Sequence, residues 1–160
     1  MMMMMSLLSG SDDPKNSRKL AANLRRRVNV DVAYTHSVNY EEPIIDEQEL
    51  RGSLFQVDDD TYILAFDSVI AGTTVTNTLK LQADTLSWVI IGNTHARQTF
   101  KEGEWYSNQF FVDGNTLMCR NKCRRMDSHF NDDGGFIDLF YELYSGDAHL
   151  GHYSLEVYIH

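Results

Sequence analysis

Apolar and polar residues alternate with period two along most of the chain, which is the spacing of half-buried β-strands rather than helices. The run over 28–38 is the cleanest: Val28, Val30, Val32, Tyr34, His36 and Val38 share one face against Asn29, Asp31, Ala33, Thr35 and Ser37. Toward the C-terminus, Ile137, Leu139, Tyr141 and Leu143 line one face of a strand. Tyr153, Leu155, Val157 and Ile159 line one face of the next, across a Ser-Gly-Asp turn. A lone hairpin of this kind is too weak to stand in water, so further strands must cover it. The intervening chain supplies them. Residues 50–57 and 61–70 read as a hairpin across Asp58, Asp59 and Asp60, and 73–82 and 86–91 as a second across Ala83, Asp84 and Thr85. Residues 95–100 and 105–111 flank a Lys-Glu-Gly turn, and Asp113, Gly114 and Asn115 open the polar run 116–126. The acidic segment 39–50, with Pro43, is expected to be a connector.

Strands recurring about every ten residues with short loops predict an all-β protein, either a sandwich or an up-and-down barrel. The barrel is preferred because closure removes exposed sheet edges. About eight to ten antiparallel strands are expected, enclosing an interior whose filling sets the function. In the polar run, simple alternation puts Arg120, Arg124 and Met126 opposite Cys119, Asn121, Cys123 and Arg125, splitting its basic residues between two faces.

The chain has 160 residues, enough for one domain with one core. Its net charge of -9 is uneven. Residues 1–27 hold six Lys or Arg against two Asp, a surplus of +4, and the remainder holds eight against twenty-one acidic residues, a surplus of -13. An acidic body repels phosphate, so nucleic-acid binding by residues 28–160 is not expected. Residues 1–27 are read as a basic tail, unstructured or a short helix capped by Ser17, able to contact an acidic protein partner. The opening MMMMMSLLSG lacks the pattern of a signal peptide or a membrane span. Cys119 and Cys123 would stand about 13 Å apart on one strand, beyond the Cα separation of about 7 Å that a disulfide tolerates. Free thiols point to a reducing, cytoplasmic setting.

Motifs for catalysis are absent: there is no G-x-S-x-G, P-loop, dinucleotide fingerprint or H-E-x-x-H. His149 and His152 are three apart, which on a regular strand places them on opposite faces and excludes a shared metal site. Glu142 is expected to point outward with Asp138 as a solvated charge. No catalytic residue, metal or cofactor is therefore assigned. By strand parity the inward polar residues are His36, Asn77 and Tyr141, with Tyr34 nearby, and these four are the candidate ligand-binding residues. Each also has a plain structural role available, as a core polar group bonded to a neighbour.

The segment RQTFKEGEW, the run from Arg120 to Met126 and above all GGFIDLFYELYSGDAHLGHYSLEVYI resemble the YwiB-like β-barrel family, a bacterial group of calycin-like barrels. Gly52 before a hydrophobic strand, YILAF and TTVTNTLKL add to the likeness, which spans 28–159. The chain departs from the family at Gly92, Asn93 and Thr94, and at Ala65 to Ser68. The resemblance implies a calycin- or lipocalin-like barrel over 28–160 more strongly than any activity. Two functions follow from such a fold. One is binding of a small apolar or amphipathic ligand inside the barrel. The alternative is a closed structural or protein-interaction module whose interior is filled by Trp88, Phe66, Leu64 and Tyr141.

Overall fold

The computed structural model describes residues 26–39, 44–70, 72–93, 95–131 and 133–160. They form ten strands: β1 (Arg26–Asn39), β2 (Ile44–Asp58), β3 (Thr61–Ile70), β4 (Thr73–Gln82), β5 (Thr85–Ile91), β6 (His95–Phe100), β7 (Trp105–Val112), β8 (Asn115–Asn131), β9 (Gly134–Ser145) and β10 (Ala148–Ile159). Every neighbour in sequence is a neighbour in space, and β1 pairs with β10 to close an antiparallel up-and-down barrel. No helix among the described residues is long and apolar enough to cross a membrane. The basic segment of residues 1–25 lies outside the described residues, whereas Arg26 and Arg27 already pair with Gln56 and Phe55.

The period-two patterns land where the pleat requires. Val30, Val32 and Tyr34 of β1, Val75, Asn77, Leu79 and Leu81 of β4, and Ile137, Leu139, Tyr141 and Leu143 of β9 are all buried. Leu64, Leu79, Leu86, Phe100, Leu139 and Leu155 have no exposed surface. They pack the half of the barrel nearest the 58–61, 82–85 and 100–105 turns. The aspartate-rich turn after β2 is held by the Asp60 amide donating to Asp58 Oδ1 at 3.1 Å, the local bond that makes aspartate a turn former.

One predicted connector is a strand. The acidic segment from Ile44 to Glu49 is the first half of β2 and pairs with β1 from Val38↔Ile44 onward. Its side chains gave no strand signal because Ile44, Ile45 and Glu47 face solvent, and the pairing comes from its backbone. The ladder between β2 and β3 runs only from Gly52↔Phe66 to Asp58↔Thr61. Beyond it Gln48 bridges the parted strands, donating to the Val69 carbonyl and accepting from the Val69 amide, each at 3.0 Å.

Two bulges decide the outer wall. The β8–β9 register passes from Cys123↔Tyr141 to Arg125↔Phe140, leaving Arg124 as the extra residue. The β10–β9 register passes from His149↔Tyr144 to Gly151↔Leu143, leaving Leu150 extra. An inserted residue reverses the in-out parity of everything beyond it. Gly151 follows the second bulge at φ 156°, a conformation L side chains rarely adopt.

Candidate functional site

The half of the barrel beyond Trp88 is not filled. A cavity of about 310 Å³ lies there, with Trp88, Ile90, Phe110, Leu117 and Leu143 in its apolar wall. It reaches the barrel end that carries the loops after β1, β3, β5, β7 and β9, where Ile70 and Leu117 belong to its lining. The strand ends there also expose Ile44, Ile45, Val69, Phe111 and Met118.

Polar groups enter the cavity from four strands. His36 of β1 meets the Tyr141 hydroxyl of β9 through Nε2 at 3.2 Å. Its ring lies edge-on to Trp88, with centroids 5.4 Å apart, and stacks on Tyr153 at 6.1 Å. Burial lowers the His36 pKa from 6.5 to about 4, against the opposing pull of the Asp46 carboxylate, so the ring is neutral at pH 7. Tyr34 is 2% exposed and lines the cavity beside His36. Its phenol is pushed up by burial and then by the Asp46 charge, and the Tyr141 phenol is raised mainly by burial. The polar lining is therefore uncharged near neutrality.

Of the four candidate binding residues, the structure brings three together: Tyr34, His36 and Tyr141 all line the cavity. Asn77 sits one layer beneath, fully buried. It accepts from Trp88 Nε1 at 3.0 Å and donates to Ser68 Oγ at 2.7 Å, which holds the indole that floors the cavity. Two polar residues were missed by sequence reasoning. Gln98 of β6 is 4% exposed, lines the cavity beside Tyr141, and keeps an Oε1 with no hydrogen-bond partner among the described residues. Tyr153 stacks on Tyr141 at 5.3 Å. Gln98 alternates with Ala96 and Phe100, and that parity was the available signal. Both cysteines are free, with Cys119 in the cavity wall and Cys123 buried in the core.

The outer wall requires three corrections. Because Leu150 is an extra residue, His149 and His152 share the outer face, with ring centroids 4.7 Å apart. Glu142 does point outward but is not a solvated charge: it is 8% exposed, covered by Arg124, Tyr144 and the two histidines. Burial pushes its carboxyl up, yet the hydrogen bond and charge of Arg124, with His152 and His149, hold it below the usual carboxylate range. Because Arg124 is extra, Arg120, Lys122, Arg124 and Arg125 all lie on the outer face and Met126 turns in against the core. Each of those cations is engaged: Arg120 with the Gly146 carbonyl, Lys122 with the Gly103 carbonyl, Arg124 with Glu142 and Arg125 with Asp138.

A closed ten-stranded antiparallel barrel, packed in one half and hollow in the other, defines a calycin-like barrel protein. The chain belongs to the family described as Domain of unknown function (DUF1934), which matches residues 28–157. Its fold is shared with the ywiB protein from Bacillus subtilis, whose crystal structure aligns with a TM-score of 0.74 at 12% identity. The alignment covers 86% of this chain and 96% of that one. No curated protein matches the chain.

Proposed function

We propose that this protein holds a small apolar or amphipathic molecule in the hollow half of its barrel. The observation that carries the reading is the 310 Å³ cavity itself, an apolar chamber with a few convergent polar groups. Ligand sites have this composition, and their volumes begin near about 300 Å³, so the ligand is small. The His36–Tyr141 pair and Gln98 supply donor and acceptor positions, and the apolar wall supplies affinity. With a neutral lining, a neutral polar head such as a hydroxyl, amide or carbonyl is favoured over a permanent charge.

Native mass spectrometry of freshly purified protein, followed by denaturation and analysis of what is released, tests this directly. The expected result is a stoichiometric small molecule, weakened by His36→Ala or Tyr141→Phe. It should be abolished by Ala96→Phe, which fills the cavity from a wall residue that is 6% exposed. A clean apo mass with no thermal shift across a panel of small neutral amphiphiles would overturn the proposal and leave the closed interaction module.

A further inference from the structure

Glu142 stands on the outer wall between the two bulges, and both bulges serve it. The extra residue of β8, Arg124, turns its guanidinium onto Glu142 Oε2 at 2.5 Å. Tyr144 adds a hydroxyl to the same oxygen at 3.4 Å. That leaves Oε1 facing β10, where the extra Leu150 has brought both histidines to the same side. Oε1 is 3.5 Å from His149 Nε2 and 3.2 Å from His152 Nδ1, and the three donor atoms lie within 4.8 Å of one another. His152 Nδ1 is inaccessible to solvent and, at that short distance, makes no hydrogen bond among the described residues.

We propose that Glu142, His149 and His152 form a site for a divalent transition-metal ion, with zinc as its simplest occupant. Metal–donor bonds of about 2.0 Å in a tetrahedron set donors about 3.3 Å apart, close to both Glu–His separations. Two imidazoles and one carboxylate suit zinc and its neighbours better than magnesium or calcium, which prefer all-oxygen shells. The nearby Arg124 charge offsets part of the carboxylate charge, so binding leans on the imidazoles and selects further against hard cations. Ring contacts hold the ligands: Phe140 stacks on His152 at 5.8 Å, and Tyr144 meets His149 edge-on at 5.0 Å. The histidine side chains are 38% and 44% exposed, which leaves a fourth position open to water. Bulges are enriched beside functional sites because they re-aim side chains, and here two of them converge on one carboxylate.

The test is zinc titration of the chelator-treated full chain by calorimetry, with cobalt absorption reporting coordination geometry. The expected result is one zinc per chain, unaffected by excess magnesium, with affinity reduced roughly tenfold or more in His149→Ala and in His152→Ala. His129→Ala, on an exposed residue away from Glu142, should bind as the parent does. The alanine variants stand at half-exposed positions and leave the core intact. Failure of the folded parent to bind zinc, or unchanged binding in the His149→Ala/His152→Ala double variant, would overturn the proposal.

Discussion

His36 makes the stability of the barrel depend on pH in a window set by its own burial. Its folded-state pKa is lowered to about 4, whereas an exposed histidine titrates near 6.5. Between those values the unfolded chain binds a proton that the folded chain refuses, so stability falls as pH drops from about 6.5 to about 4. Below that window this group takes nothing further away. At about 1.4 kcal/mol for each unit, the span of about 2.5 units amounts to about 3 kcal/mol. For a chain of this size that is a Tm change of roughly 6–12 °C. Other groups titrate over the same range, so the informative quantity is a difference between the parent and His36→Gln, which keeps polarity without the titration. Urea unfolding of both proteins at pH 7.5, 6.5, 5.5 and 4.5, roughly the window above, should show the parent losing ground on the variant as pH falls. Asp46, Tyr34, Tyr141 and Tyr153 face the ring, and among them Asp46 alone is a carboxylate able to couple to it. Repeating the comparison in an Asp46→Asn background should widen the gap by removing the charge that favours the protonated ring. A parent-minus-variant difference that stays flat over the whole range would refute the reasoning.

Three further outcomes follow from the packing. Gly135 sits at φ 152°, and a Cβ there would lie 2.0 Å from the His129 carbonyl oxygen, so Gly135→Ala should cost about 3 kcal/mol or more in urea unfolding; a cost under about 1 kcal/mol would show that the β8–β9 turn gives way easily. Trp88→Phe removes the donor to Asn77 Oδ1 inside a fully buried pair and should cost about 3 kcal/mol, whereas an unchanged Tm would mean that the bond is idle. Burial pushes the Cys123 thiol up to about 11, and the residue has no exposed surface. Alkylation at pH 8, about half a unit below the ordinary cysteine pKa, should therefore label half-buried Cys119 first and Cys123 only on unfolding, and a cavity ligand should slow Cys119.

Much of this barrel was legible from alternation alone. Period two is a local property of a strand facing a core on one side, and wherever the ladder is regular it identifies the inward residues. Tyr34, His36 and Tyr141 are found on that face for this reason. Hairpin turns were equally readable, since Asp, Asn and Gly mark them by their own backbone preferences. Three things were decided only when the strands met. Asn77 faces inward as its pattern requires, but whether it reaches a cavity or supports Trp88 depends on the layer it occupies, which is set by strand tilt and stagger. The acidic start of β2 became a strand because β1 offered it a backbone ladder, with no core-facing pattern to announce it. The extra residues Arg124 and Leu150 are properties of a pair of strands, since a bulge exists only relative to the partner's register. That is why alternation separated His149 from His152, and the folded barrel places them together over Glu142.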